Sequence, residues 1–424
     1  MKELKLGLLA LSVYVGTVAF AVLVLEDCAH GEPWLSNRFA QNCIGCHDTG
    51  RPNRPFLDRR CTLSCQGCHV SPQGGGMRSL YGKWNEDKWL TMARSDKEPG
   101  KEATFMKKIL NTKDFEKEVP DGDPYWGYHG RPATWLNMNA QRLEAGGDIR
   151  YLYPASDADP FMMSVALGTR WKPFRHFSLV MEPLFEGRPG TEFLWDMRPS
   201  TGTAYMLVTD MPANTYVQAG QYRPLFGMYS PDHTSVPQKL FAEATTGIPR
   251  SQGLVFRTTS VGTAPNVPYI NAHYIEGDAR TLSNPDRKSR EGWAGNVGLR
   301  FVSLGLSLQY SFWDTEERDD FEEATAMHAF DLGAQLWRTT LNYYYLTVDR
   351  QGTGAFTAES HHVESRLRLW RELYVEYFRT EWTRDGEEQE PDQSWGIRVF
   401  PYPGWDLQLT QKDEGWMGQL HLFF

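Results

Sequence analysis

The stretch GNVGLRFVSLGLSLQYSFW, Gly295 to Trp313, decides the fold. Leu304, Leu306, Leu308, Tyr310 and Phe312 alternate with Gly305, Ser307, Gln309 and Ser311. Side chains of a strand point to opposite faces in turn, so a period of two makes a strand with one apolar and one polar face. The same period runs through AMHAFDLGAQLWRTTLNYYYLTV (Ala326 to Val348) and VESRLRLWRELYVEYFRTEW (Val363 to Trp382). Outward from these, alternating strings of about 8 to 12 residues fill the chain from about Thr134 to Phe424, the length of membrane-crossing strands.

Serial hairpins build either a soluble sandwich or propeller, or a closed transmembrane barrel. The connections separate the two. Tight turns fall near Ser303–Leu304, Leu336–Arg338, Leu369–Arg371 and Tyr402–Gly404. Between them lie longer polar connections near Gly277–Glu291, Thr315–Glu323, Arg350–Ala358 and Asp385–Asp392, with a shorter one at Gln411–Glu414. Short turns on one side and long loops on the other are the asymmetry of outer-membrane barrels. Tryptophans 313, 337, 370, 382, 395, 405 and 416 stand near strand ends, where interfacial girdles form. A low mean hydropathy with no second long apolar run excludes a helical membrane bundle and is compatible with a barrel. The expected fold is mainly β: an antiparallel transmembrane β-barrel of about 16 strands over residues 134–424, even-numbered so that both ends share a side.

Alternation assigns Arg300, Glu364, Arg366, Arg368, Glu372, Glu376, Arg398 and Asp406 to the lumen. One connection, Arg223 to Arg250, lacks strand period and holds Asp232 and His233; a loop of that length either folds inward as a plug or covers a mouth. His361 and His362 are an adjacent pair beside a loop, a metal-binding possibility set against two unrelated surface histidines. The acidic runs at Glu316–Glu323 and Asp385–Asp392 read as solvated loop tips that could also attract cations.

The N-terminal third is different in kind. Lys2 and Lys5 precede an apolar run from Leu6 to Leu25, with small residues at Ala19 and Ala21. This predicts a secretory signal over 1–21, or an uncleaved anchor reaching residue 25. Residues 22–120 then carry CIGCHDTGRPNRPFLDRRCTLSCQGCH, Cys43 to His69, with two C-x-x-C-H copies at Cys43/Cys46/His47 and Cys65/Cys68/His69. That spacing suits covalent c-type haem: two thiols bond the vinyl groups and the adjacent histidine ligates iron. The competing reading is a four-cysteine zinc ribbon, which needs no histidine after either pair. Two haem c groups are therefore expected, with His47 and His69 as proximal iron ligands. Met77, Met92, Met106, His30 and His129 are the candidate distal ligands, each against an ordinary packing role for methionine. Cys28 and Cys61 remain as a candidate disulfide or as two free thiols. Pro120–Pro132 is rich in Pro, Gly and Asp and reads as a linker or loop, with the linker bounds set at 121–133.

CIGCH, CQGCH and a barrel ending on Phe424 together resemble the fused outer-membrane cytochrome-porins of iron-oxidising and metal-respiring bacteria. CHVSPQGGGMRSLYGKW is similar to a recurrent haem-site segment in such exported cytochromes. The resemblance implies electron transfer across the outer membrane, in metal reduction or iron oxidation. It also implies partners: a periplasmic cytochrome, and an extracellular multihaem cytochrome, mineral or metal ion. Two motifs, where the iron-oxidase pattern has one, leave substrate and direction open. The alternatives are a solute porin with a haem anchoring or gating domain, and a dihaem peroxidase or reductase with one open iron position. A formal net charge of −9 offers no basic footprint for nucleic acid.

Overall fold

The computed structural model describes Val70, Met77 and, from Leu143 to Phe423, the strands, one helix and part of their connections. The signal, both C-x-x-C-H motifs, His30, Met92, Met106, His129, Cys28 and Cys61 lie outside the described residues.

The strands in chain order are β1 (Leu143–Tyr153), β2 (Phe161–Phe174), β3 (Phe177–Glu186), β4 (Arg198–Met211), β5 (Thr215–Tyr222) and β6 (Phe256–Thr263). There follow β7 (Tyr269–Gly277), β8 (Arg290–Phe301), β9 (Leu306–Glu317), β10 (Asp320–Leu336), β11 (Thr339–Arg350) and β12 (Phe356–Trp370). Last come β13 (Leu373–Arg384), the two-residue β14 (Glu387–Glu388), β15 (Asp392–Val399), β16 (Trp405–Lys412) and β17 (Gly415–Phe423). A single described helix, α1 (Val236–Thr246), stands between β5 and β6.

Each long strand pairs antiparallel with its successor, and β1 closes the sheet on β17, with Asp148 opposite Phe423 and Tyr153 opposite Gly418. Since β14 only extends the β13–β15 hairpin, 16 strands form the closed wall. Closure leaves no edge with unpaired backbone groups, which is what hydrocarbon surroundings demand.

Alternation sorts the side chains as expected. Ser307 and Ser311 turn inward and Tyr310 and Phe312 outward on β9. Leu179, Met181, Ile270, Leu332, Val363, Ile397 and Leu409 are among the large apolar side chains on the outside, the surface a barrel shows to lipid. Two tryptophans depart from the girdle expectation. Trp313 is on the inward parity with Ser311 and Thr315, is fully buried, and its indole N–H donates to Thr315 Oγ1 at 3.0 Å. Trp382 also packs against the inner apolar cluster. Trp395 and Trp416 do form an exposed edge-to-face pair at 5.0 Å, and Trp405 meets Tyr402 at 6.3 Å.

The turn asymmetry holds, with one correction. Short connections after β2, β4, β6, β8, β10, β12 and β15 share the rim with both ends of the barrel chain, and the connections after β3, β5 and β7 at the other rim are the long ones. Thr315–Glu323, expected as a polar loop, is instead strand on both sides, with Glu317 opposite Asp320. Its charges do not oppose this, because a hairpin reaching past the apolar band has water on its outer face.

Candidate functional site

The lumen has three differently built walls. The first is charged. From β12 to β1, Arg366 pairs with Glu364 and lies 2.9 Å from Glu376, and Arg398 grips Asp406 with two hydrogen bonds of 2.8 and 2.5 Å. His421 bridges Asp406 and Asp148, at 3.7 and 2.5 Å, and Asp148 also meets Arg150 at 3.2 Å. Glu144 continues the row, taking Arg170 Nε at 2.6 Å and Lys172 Nζ at 2.7 Å. Five of the positions assigned to the lumen from sequence, Glu364, Arg366, Glu376, Arg398 and Asp406, are thus buried inside, and half-buried Arg368 follows the same parity. The Arg300 side chain and Glu372 lie outside the described residues.

The second wall carries the long connection, which folds inward. Helix α1 starts after Ser235, a residue type suited to capping, with Pro237 in its first turn where a missing N–H costs nothing. Phe241 faces Trp313 at 5.4 Å and Phe226 at 5.5 Å, and Phe256 closes on Trp313 at 5.1 Å. The C-terminal carbonyls of α1 are met by the barrel: Arg350 donates to Glu243 O at 2.8 Å and Thr325 Oγ1 to Ala244 O at 3.2 Å. Arg384 holds the Glu243 carboxylate at 2.7 and 3.1 Å. Cations at a helix C-terminus also oppose its dipole favourably. Because Arg350, Phe356 and Arg384 end or begin strands at the long-loop rim, α1 sits just inside that mouth. Asp232 and His233 lie outside the described residues.

The third wall, on β2 to β7, is apolar and aromatic, and Val70 and Met77 rest on it. Val70 and Met77, 1% and 5% exposed, form one cluster with Val180, Tyr205, Leu207, Tyr216 and Tyr222, all inward-facing. Val70 N–H donates to the Met77 carbonyl at 2.9 Å. Met77 N–H donates to Glu182 Oε1 at 2.7 Å, and Thr203 Oγ1 to Glu182 Oε2 at 3.2 Å. Gly168, near the middle of β2, makes room: a Cβ there would stand 3.0 Å from the Met77 sulfur. Among the candidate distal ligands, Met77 is therefore placed in the lumen with its sulfur against the wall.

Beside this cluster lies a residue that sequence reading passed over. His273 on β7 is 0% exposed and faces inward, and neither ring nitrogen has a hydrogen-bond partner among the described residues. Its ring meets Tyr222 edge-on at 6.4 Å, and Tyr222 meets Tyr205 at 5.7 Å. One strand register away from the histidine, Tyr216 O–H donates to Asn271 Oδ1 and Asn271 Nδ2 to Asn296 Oδ1, both at 2.7 Å.

The other histidine candidates do not act together. His361 points outward to Tyr343 Oη at 2.8 Å, whereas His362 points inward to Thr380 Oγ1 at 2.8 Å. Adjacent strand residues face opposite ways, so the pair is not a chelate. No cluster of three or more His, Cys, Asp or Glu suited to a metal occurs among the described residues.

No family model matches the chain, and no curated protein matches it. Among solved structures it is similar to outer-membrane barrels. One is OmpF of Salmonella typhi in complex with daunomycin, at 9% identity and TM-score 0.47, covering 66% of this chain and 97% of that one. Another is in-vitro folded OmpT of Vibrio cholerae, at 9% identity and TM-score 0.46, with the same 66% and 97% coverage. A third is the outer-membrane channel DcaP of Acinetobacter baumannii, at 11% identity and TM-score 0.42, again covering 66% and 97%. The barrel of the present chain is defined by its own closed ladder of 16 long strands.

Proposed function

We propose that this chain carries a dihaem c-type segment within a porin-like barrel of the bacterial outer membrane and passes electrons across it. The observation that supports the reading is the burial of Val70 and Met77 on the lumenal wall, because Val70 follows directly on His69 of the second C-x-x-C-H motif. Cys43, Cys46, Cys65 and Cys68 would hold the two haems by thioether bonds, with His47 and His69 below the irons. The surroundings fit such a group. Away from the charged wall, the face that receives residues 70 and 77 is built of Val180, Leu207 and three tyrosines, an apolar bed for a flat ring. When bound, haem supplies reversible one-electron iron chemistry.

The chain's own residues do the rest. The barrel replaces hydrocarbon, about 25 Å deep, with a sheltered path. The aromatic wall excludes water, and burial of that kind is one of the levers on iron potential. Two haems span only part of that depth, so a periplasmic cytochrome on one side and an external acceptor or donor on the other complete the path.

A second reading, a solute porin with a haem-bearing anchor, is favoured by the charged wall from Glu364 to Glu144, which would select among permeating ions. Liposomes holding an entrapped viologen dye, with reductant or oxidant added outside, separate the two. The conduit reading expects protein-dependent electron transfer to the dye while small-sugar swelling stays at the rate of empty liposomes. Rapid swelling without electron transfer would favour the porin.

A further inference from the structure

We infer that the outer face of β13 and β15, around Arg379 and Glu381, is where a second copy of this chain docks within the membrane. This face is on the lipid side of the wall, so the docking does not depend on haem in the lumen. Arg379 and Glu381 share the outward parity of Tyr377. The guanidinium donates to Glu381 Oε1 from Nε at 3.1 Å and from Nη2 at 2.6 Å, and Tyr377 adds a further side-chain hydrogen bond to Arg379. The two charged side chains stand clear of the wall, 46% and 60% exposed.

Their depth is what calls for a partner. Arg379 stands six positions along β13 from Leu373 at the short-turn rim, and Glu381 eight. At about 3.3 Å per residue and a tilt of about 40°, they lie about 15 and 20 Å above that rim. Exposed Leu367 and Leu369, across the same turn on β12, carry the apolar surface down to the rim, so both charges fall inside a band about 25 Å deep. Outward Asp349 on β11 and Glu359 on β12 are ten and eleven positions from it, about 25 Å or more above, where water reaches them. The far side of the barrel is different: Leu167, Leu179, Met181, Met206, Val261 and Ile270 are exposed there, a face suited to lipid alone. Hydrocarbon does not solvate an ion pair, and a cation facing lipid is destabilising in proportion to its depth, so Arg379 and Glu381 need a polar cover.

A protein copy fits that cover better than a lipid headgroup. Glu381 stands on the long-loop side of Arg379, so a phosphate reaching down from the surface meets the carboxylate first. Two copies inserted in the same direction face each other about an axis along the membrane normal, which brings equal depths together. Arg379 then lies beside Glu381 of the partner subunit as it lies beside its own. A guanidinium has five N–H donors, enough to hold both carboxylates. Around this centre, exposed Tyr377 stands directly across the ladder from exposed Trp395, and Tyr, Trp and Arg are the residues that anchor protein interfaces.

The test uses the full chain in intact outer membranes. A benzophenone amino acid in place of Tyr377 should give, on illumination, a cross-linked band of twice the chain mass, and the same group in place of Leu179 on the far side should not. Arg379→Glu sets four carboxylates against one another and should lower the band from position 377 by roughly tenfold or more. Glu381→Arg should do the same with four cations, and Arg379→Glu combined with Glu381→Arg should bring the band back. Sedimentation in a density-matched detergent should give two chains for the wild type and one for either single variant. Heat-modified gel mobility verifies in each case that the barrel has folded. Adducts of lipid mass at position 377, a cross-link there to a different protein, a dimer band from position 179 as strong as from 377, or charge variants that leave the band unchanged would overturn this docking face.

Discussion

The amide of Met77 donates to Oε1 of Glu182 at 2.7 Å, joining a residue that follows the second C-x-x-C-H motif in sequence to the inner face of β3 across 105 positions. Glu182 in turn takes Thr203 on its other oxygen, and Gly168 leaves the space that the Met77 side chain fills. These contacts seat Met77 in the inner face of the barrel wall.

Removing the acceptor should loosen the segment without unfolding the barrel. Glu182→Ala leaves a buried amide unpaired, at about 1–3 kcal/mol, so hydrogen exchange of the peptide containing residue 77 should quicken roughly ten- to a hundredfold. Glu182→Gln retains an acceptor and should exchange nearly as the wild type does.

The glycine makes a matched prediction. In Gly168→Val the added carbons meet the Met77 sulfur, already 3.0 Å from a Cβ position, and should raise exchange in the same peptide. Met77→Ala in that background should recover part of the loss, and a double-mutant cycle on exchange rates should give a coupling of about 0.5–3 kcal/mol. Additive effects would mean that the two residues do not touch.

Helix α1 should depend on its aromatic seat. Phe241 stacks on Phe226 at 5.5 Å and meets Trp313 edge-on at 5.4 Å. Phe241→Ala should destabilise the docked helix by about 3–5 kcal/mol and widen the long-loop mouth. Larger single-channel conductance in planar bilayers, with unchanged barrel mobility on gels, is the expected result.

The charged wall carries a sign test. Arg398→Met strips Asp406 of both hydrogen bonds from the guanidinium, leaving it His421, and should cost about 3–5 kcal/mol in urea unfolding from detergent. Replacing Asp406 by Leu as well should return much of that loss, because a buried pair contributes little beyond neutralising its own members. On the outer face, Val363→Arg near the middle of β12 should cost about 2–4 kcal/mol, as a cation facing lipid does.

Much of this was legible in the residues. Period two gave the strands, the lumenal parity of Glu364 through Asp406, and the alternation of turns that makes an even barrel. Tryptophan position misled at Trp313 and Trp382, because nearness to a strand end says nothing of the face; parity, counted from Ser311, puts Trp313 inside. The acidic run after Thr315 looked like a loop because charge marks water, and a hairpin can continue into water. His273 escaped notice for a plainer reason. In YINAHYIEG both faces mix apolar and polar residues, so its inward direction emerges only from the register with β6 and β8. Glu182 and Gly168 could not be read from sequence, since their partner lies about a hundred positions away.

The most direct measurement is the ratio of covalent haem to protein in the chain purified from outer membranes, read by pyridine haemochrome after denaturation. Two haems per chain that stay with the polypeptide on a denaturing gel are the expected result. A haem-free chain in the same membranes, with zinc bound at the cysteines, would contradict it.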